Sequence, residues 1–292
     1  VYNFGPTNYF QRPDERYTLG AFAHYQLADW AEAYSQIMFM DDRSVAQIAP
    51  GGIFAGTQRI NCDNAFLTPT QQTQLCGANA GVAGQFFTGT VAKRNVEGGG
   101  RQSDFRHMSY RYVVGLKGDL SDNWNYDGYM EYTETEFNSA QTAYFQSQRI
   151  ANALIARRNA AGTIVCQSVI DGTDTACVPY NIFQEGQVTA AALKYLSVPS
   201  YTGGNASERV VNLTLGGDLT PYGIKSPWAN DGVGVAFGAE YRREHVDFHS
   251  DFVATAGLLS GAGGASPPID KSFDVYELYG EARIPIAQDQ PW

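Results

Sequence analysis

Long runs of strict alternation between apolar and polar residues constrain this chain most. The apolar positions of the clearest run are Met108, Tyr110, Tyr112, Val114 and Leu116, and the positions between them include Arg111 and Lys117. Successive side chains of a β-strand point to opposite faces, so alternation that repeats every two residues indicates a strand. The pattern therefore predicts an all-β chain whose strands each have one apolar and one polar face.

Seven runs of this kind are predicted to be strands. They cover residues 16–27, 30–42, 106–120, 124–138, 208–220, 232–248 and 273–286. Strands of soluble proteins usually have about five or six residues. A tilted strand that crosses an outer membrane needs about nine to eleven, so these runs favour a transmembrane antiparallel β-barrel.

The connections between the predicted strands alternate in length. Short turns lie at 28–29 and 121–123, with a longer one at 221–231, whereas long polar segments cover 43–105, 139–207 and 249–272. Short turns on one side and long loops on the other are typical of outer-membrane barrels, and the long loops are expected to be extracellular.

Short helices are predicted inside the long loops. Helical spacing relates Ile150, Ala153, Leu154 and Arg157, and also Val188, Ala191, Ala192, Tyr195 and Leu196. Apolar residues at this spacing form one face of a helix. We interpret both groups as packing surfaces of the loops rather than as a binding site.

The tryptophans lie near the short turns, and the charged residues of the apolar faces lie near the long loops. The four tryptophans, each at or just after a turn on the short-turn side, are Trp30, Trp124, Trp228 and Trp292. Tryptophan favours the membrane–water interface, although chance clustering is the alternative. The charges that interrupt the apolar faces, Glu134, Glu136 and Arg243, lie far from the short turns, where a strand has left the apolar layer.

The four cysteines form two local pairs within polar segments. Cys62 and Cys76 flank one segment, and Cys166 and Cys177 flank another. Neither pair has the spacing of a metal site with partner histidines. We interpret them as two disulfides, which implies an oxidising compartment; four unrelated thiols are the alternative.

Composition excludes several classes of function. The net charge of −10 argues against a nucleic-acid binder, which needs clustered lysine and arginine. No apolar stretch approaches eighteen residues, so no helical membrane span is expected. The residues at the start do not have the charged and apolar regions of a signal peptide.

No catalytic, cofactor-binding or metal-binding constellation is recognised. His245 and His249 are four residues apart, which on a strand means about 13 Å, too far to share a metal ion. The chain has no nucleophile elbow, phosphate-binding loop or dinucleotide fingerprint. We therefore expect a protein that is not an enzyme and that has no cofactor.

Seven strands cannot close a barrel whose neighbouring strands are antiparallel. The sheet would leave two edges of unpaired backbone groups, which are costly in a lipid environment. Residues 1–292 are therefore expected to form part of one larger barrel domain rather than a complete barrel.

Four stretches resemble the barrel domain of TonB-dependent outer-membrane receptors of the alphaproteobacterial type. They are Tyr9–Arg16 running into residues 17–27, Ala31–Ser44, Gly162–Tyr180 followed by Asn181-Ile182-Phe183, and Tyr276–Ile286. The resemblance extends over nearly the whole chain. It implies a 22-stranded barrel, a plug domain and a TonB box, and neither of the last two is present in these residues.

The resemblance also implies a function. Such receptors lie in the bacterial outer membrane, in contact with lipid and lipopolysaccharide, and import a scarce nutrient, such as an iron–siderophore, a vitamin or an oligosaccharide, when the TonB complex acts on the plug. The alternatives are a passive porin-like channel and a surface adhesin or structural β-protein. The sequence does not identify the ligand.

Overall fold

A single antiparallel sheet dominates the structure, a computed structural model that describes residues 2–289. Its strands pair in chain order, as a meander. The seven strands found in these residues are β1 (Asp14–Ala28), β2 (Ala31–Pro50), β5 (Gly100–Ser121), β6 (Trp124–Phe145), β9 (Ser197–Asp218), β10 (Gly234–Ser250) and β11 (Ile269–Arg283). The all-β prediction and all seven predicted strands are confirmed.

Consecutive strands are joined alternately by turns and by long loops. Two-residue turns join β1 to β2 and β5 to β6, and a longer turn that contains the 3-10 helix Thr220–Tyr222 joins β9 to β10. Within residues 2–289, β1 and β11 do not pair with each other, so the sheet is open and has two edges. A closed barrel is not formed by these residues, as the strand count predicts.

The strands differ from their predicted bounds mainly on the loop side. Strand β2 continues to Pro50 instead of residue 42, and β6 continues to Phe145 instead of 138. Strand β9 begins at Ser197 instead of 208. On these extensions both faces carry polar side chains, so alternation stops while backbone pairing continues. On the turn side, β11 ends at Arg283, before residue 286.

The long loops contain small strands and helices of their own. Besides the predicted helices they hold two hairpins that the alternation pattern did not reveal. The elements are β3 (Gly52–Asn61), β4 (Phe86–Arg94), β7 (Ala156–Arg158), β8 (Ile164–Cys166), α1 (Pro69–Cys76), α2 (Ser147–Leu154), α3 (Gln167–Ile170), α4 (Ala190–Leu196) and α5 (Phe252–Thr255).

Both predicted loop helices are present but shorter than their spacing suggested. Helix α2 ends at Leu154, and Arg157 lies on β7. Helix α4 begins after Val188, because the Thr189 side chain accepts a hydrogen bond from the amide of Ala192 and caps the first turn. None of the described helices is long and apolar enough to cross a membrane.

The main hydrophobic core lies among the long loops and not on the sheet. The loops at 51–99, 146–196 and 251–268 pack together, and we call them the loop assembly. Its largest fully buried side chains include Tyr180, Ile60, Ile150 and Leu154, and Phe145 at the end of β6 packs among them. The description of these segments as polar loops was therefore incomplete, because their scattered apolar residues meet only after folding.

Candidate functional site

One face of the sheet is apolar across all seven strands. The register aligns the apolar positions of neighbouring strands, such as Val114, Met130 and Val211. The row continues through Tyr241 and Tyr276 to the last strand. The apolar sides predicted separately for the single strands thus fall on one side of the sheet, which we call the apolar face.

Exposure separates this face from the opposite one. Val114 is 58 % exposed, whereas the adjacent Val113, on the other side of the same strand, is 5 % exposed. The apolar face also exposes Leu19, Met130 and Leu278, by 72, 60 and 89 %. Apolar surfaces of this extent, rimmed by polar residues, indicate contact with a membrane or with another protein.

The opposite, polar face carries hydrogen-bonded side chains. Arg111 donates to both carboxylate oxygens of Glu131, at 2.9 Å each, and to Gln36 Oε1 at 2.9 Å. The Tyr34 hydroxyl donates to Asp127 Oδ1 at 2.7 Å. Opposite charges on this face are therefore paired across neighbouring strands.

Two glycines of the polar face make room for tyrosine rings. A Cβ atom at Gly115 would overlap the Tyr34 ring, and one at Gly238 would overlap the Tyr279 ring. Both tyrosines belong to the adjacent strand. The groups packed closely against these glycines are therefore side chains of the sheet itself.

The apolar face ends in a charged residue on every strand. In chain order, the first charged residues towards the loop side are Glu15, Asp41, Arg106, Glu134, Arg209, Arg243 and Asp274. The predicted placement of Glu134, Glu136 and Arg243 beyond the apolar region agrees with this arrangement. The apolar face is thus a band with a defined border.

The border runs obliquely across the sheet. Residues that pair with each other on neighbouring strands form a row across the sheet, which we call a register row. One such row begins at Ala21 on β1 and reaches Asp274 on β11 after six steps from strand to strand. On β1 the border residue, Glu15, lies six residues beyond this row, whereas on β11 Asp274 lies in the row itself. With a rise of about 3.3 Å per residue and about 4.8 Å between strands, the average slope is roughly 35°.

Ion pairs between β2 and β5 join the charged border residues. The Arg106 guanidinium donates to both oxygens of Asp41, at 2.9 and 2.8 Å. Arg43 makes the same two-point contact with Asp104, with Nε 3.0 Å from Oδ1. Arg43 and Arg106 are register partners, so the diagonal carboxylates offset the repulsion between two like charges placed opposite each other.

Aromatic side chains lie at the opposite, short-turn end of the band. Trp30 is in the first turn, Trp124 begins β6, and Trp228 is in the turn between β9 and β10. Trp30 and Trp228 are 57 and 63 % exposed. These three tryptophans therefore lie on the predicted side of the sheet, and the fourth, Trp292, lies outside the described residues.

Two disulfides lie in the loop assembly. The Sγ atoms of Cys62 and Cys76 are at bonding distance, as are those of Cys166 and Cys177, and no free cysteine remains in residues 2–289. Each bond closes a short segment, so it limits the unfolded conformations of that segment. The pairing is the one that the sequence suggested.

Buried asparagines connect the first loop to the second. The Asn64 side chain is fully buried and donates to the carbonyl of Leu154 at 2.7 Å. The fully buried Asn61 donates to the carbonyl of Ala156 at 3.2 Å. Buried amides of this kind stabilise a unique arrangement because an unpaired polar group in the interior is costly.

The third loop contacts both others. The amide of Ser147 donates to the carbonyl of Leu258, and the amide of Ser260 to that of Phe145, each at 2.8 Å. The Ser260 hydroxyl donates to the carbonyl of Gly52 at 2.7 Å. All three long loops therefore form one folded body.

One carboxylate of the second loop is held by two hydrogen bonds. The Tyr195 hydroxyl donates to Asp174 Oδ2 at 2.6 Å, and Asn152 Nδ2 donates to the same oxygen at 3.1 Å. The bond from Tyr195, followed by the one from Asn152, holds the pKa of Asp174 below its usual value. The contact links α2 and α4 to the segment closed by Cys166 and Cys177.

The histidines are not brought together. His245 lies 3.0 Å from Asp270, and His249 lies 3.2 Å from Asp247. Within residues 2–289, no group of three or more histidine, cysteine, aspartate or glutamate side chains could hold a metal ion.

Comparison with protein families and with curated proteins identifies no relative. No protein-family model matches the chain, and no curated protein matches it significantly. The apolar band and the loop assembly are therefore the features of the structure that bear on function.

Proposed function

We propose that this chain forms part of the barrel wall of a TonB-dependent outer-membrane receptor that imports a scarce, bulky nutrient. The oblique border of the apolar band is the observation that carries the proposal. Strands of outer-membrane barrels tilt by about 35–45° from the membrane normal, so a flat lipid layer crosses their register rows obliquely. The slope of roughly 35° lies within this range.

The dimensions of the band agree with a membrane span. On β5 the apolar positions extend from Met108 to Leu120. This is a span of about thirteen residues, enough for the roughly nine to eleven that a tilted strand needs to cross the apolar layer of an outer membrane. The charged border then lies at the outer surface, and the tryptophans lie at the inner interface.

The open edges support membership of a larger barrel. On β1, Tyr17 and Leu19 carry the apolar band to one edge, and on β11, Tyr276 and Leu278 carry it to the other. Unpaired backbone groups are unfavourable in hydrocarbon, so further strands are expected to pair with both edges.

The loop assembly favours selective capture over free diffusion. Its buried core, two disulfides and buried asparagines give the loops a fixed shape, as a binding surface requires. A passive channel needs no such folded loops. The polar face would line the barrel interior, where paired charges are compatible with either function.

Uptake by intact cells tests the proposed transport. Cells with and without the gene would be given radiolabelled ferric chelates, corrinoids and oligosaccharides, in the presence and absence of a protonophore. A receptor predicts saturable, gene-dependent uptake of one class that the protonophore abolishes. Gene-dependent uptake that rises linearly with concentration and is insensitive to the protonophore would support a passive channel instead.

A further inference from the structure

A polar cleft lies between the first and second loops, beside the two disulfides. It has a volume of about 570 Å³. Its polar lining comprises Asp63, Asn64, Gln72, Arg157, Arg158 and Gln167. This volume is within the range of small-molecule sites, about 300–1,000 Å³.

Both walls of the cleft are fixed by covalent and buried contacts. Asp63 directly follows Cys62, and Gln167 directly follows Cys166, so each disulfide holds a lining residue in place. Asn64 ties the first wall to the second through the carbonyl of Leu154. The cleft is therefore organised before any ligand arrives, which reduces the entropy cost of binding.

The charges of the lining favour an anion. Arg157 Nε lies 3.4 Å from Asp63 Oδ2, so these two charges offset each other. Arg158 is exposed and donates to the carbonyl of Gly162 at 2.9 Å, but makes no ion pair within the described part of the chain. One guanidinium thus remains without an acidic partner, and it can bind a carboxylate through two parallel hydrogen bonds.

The rest of the lining suits hydroxyl groups. Gln72 and Gln167 offer amides, which both donate and accept hydrogen bonds, whereas the Asn64 amide is used within the protein. Gln167 Oε1 is shielded from solvent and has no hydrogen-bond partner among residues 2–289. Leu67 and the 49 % exposed Ile170 add a small apolar surface against which a sugar ring can pack.

We propose that this cleft binds a carboxylated oligosaccharide, with Arg158 contacting the carboxylate and the amide side chains contacting the hydroxyls. The inference rests on the proposed receptor function, because it assigns the nutrient class and the place of its first contact. It concerns binding alone, so it is testable without energy-coupled transport.

Calorimetry with two matched probes tests the cleft. The intact protein in detergent would be titrated with trigalacturonate and with the fully methyl-esterified trisaccharide, in which each carboxylate is replaced by an uncharged methyl ester. We expect the acid to bind at least about tenfold more tightly, because a charge-assisted pair is lost in the ester. Equal affinities, or no binding of the acid at about 1 mM, would overturn the proposal.

Two substitutions locate the binding to this cleft. Arg158→Gln should lower the affinity for the acid about tenfold with little effect on the ester, and Gln167→Leu should weaken both. Lys194→Gln removes an exposed charge of the same loop outside the cleft and should leave both affinities unchanged. Intact disulfides in each variant, checked on non-reducing gels, would show that the loop assembly has folded.

An unchanged affinity of the Arg158→Gln variant would place the sugar elsewhere and reject the site. Binding to the cleft without uptake of the sugar by cells would retain the site and reject the transport function. The two proposals can therefore fail independently.

Discussion

A single side chain on the apolar face has a different environment from its neighbour in sequence. Leu213 is 49 % exposed on the apolar face, whereas the adjacent Thr214 lies on the polar face and its hydroxyl hydrogen-bonds with that of Tyr279. If the band contacts lipid, a charge at the first position enters hydrocarbon and a charge at the second does not.

Leu213→Arg is therefore expected to lower the free energy of unfolding by about 2–4 kcal/mol in lipid vesicles, with a much smaller loss for Thr214→Arg. Urea titration of the intact protein in bilayers measures both values. Equal losses at the two positions would contradict contact with lipid, because only a lipid-facing position should be destabilised much more by a charge than its neighbour on the opposite face.

Asp174 gives the loop assembly a dependence on pH. Its pKa is lowered in the folded state, chiefly by the hydrogen bond from Tyr195. The stabilisation is therefore complete above the unfolded pKa of about 3.9, and is lost as the pH falls through the lower, folded value. We expect amide protection in α2 and α4 to fall below about pH 4.

Tyr195→Phe should reduce this dependence, because it removes the hydroxyl that stabilises the Asp174 carboxylate. Hydrogen exchange at pH 6 and pH 3, measured by mass spectrometry, provides the comparison. The same pH dependence in the variant and in the unaltered protein would show that another group is responsible.

At the scale of elements, the disulfides stabilise individual loops. Replacing Cys166 and Cys177 by serine is expected to destabilise the second loop by about 2–3 kcal/mol, because the unfolded segment gains conformational freedom. Limited proteolysis should then cut within residues 146–196, while the sheet stays intact. An unchanged cleavage rate would mean that the buried asparagines alone hold this loop.

Arg101 connects strand β5 to the loops. Its guanidinium donates to the carbonyls of Ala49 and Gly261, at 2.9 and 3.1 Å, and lies 5.0 Å from the ring centroids of Phe54 and Tyr144. A planar, multiply donating group makes these contacts at once, and a lysine cannot. The side chain therefore holds the third loop against the first.

Arg101→Lys is expected to weaken the packing of the third loop against the first. The free energy of unfolding of the loop assembly should fall by about 2 kcal/mol or more, because buried carbonyls lose their hydrogen-bond donors. Proteolysis within residues 251–268 should become faster. Arg12→Lys, which alters a guanidinium 6.0 Å from the Phe105 ring on the sheet, serves as the control. Equal protection of the third loop in both variants would contradict this role.

The sequence predicted the elements in which all residues on one side share the same kind of environment. Alternation identified all seven strands, because one side of each is apolar. It could not identify the outer extensions, such as the one on β2 that begins with Arg43 and Ser44, two polar residues on opposite faces. That extension is held by backbone pairing and by the ion pair of Arg43 with Asp104 on β5, which no period in the sequence records.

The core of the loops was not predictable for a different reason. Ile60, Phe145 and Tyr180 pack in one cluster although they come from distant parts of the chain. Only the two cysteine pairs and the two short helical patterns indicated in advance that these segments are ordered. The polar cleft likewise combines residues of two loops, so its lining is defined only by the folded arrangement.

Across the whole sheet, the oblique border of the band predicts how a membrane would cross the strands, if the proposed membrane span is correct. Ala21 and Asp274 occupy the same register row, about 29 Å apart across six strand spacings. If the strands tilt by roughly 35°, the two positions differ in depth by about 16 Å, with Ala21 inside the lipid layer and Asp274 at its outer border.

Electron paramagnetic resonance of single nitroxide labels at these two positions is the most direct test of the proposed membrane span. The native cysteines of the described residues are all in disulfides, so Ala21→Cys and Asp274→Cys can be labelled selectively in the intact protein in bilayers. We predict that oxygen relaxes the label at 21 more strongly than a water-soluble nickel chelate does, and that the label at 274 shows the reverse. Equal depths for the two labels, or free access of the nickel chelate to position 21, would contradict a membrane-spanning barrel wall.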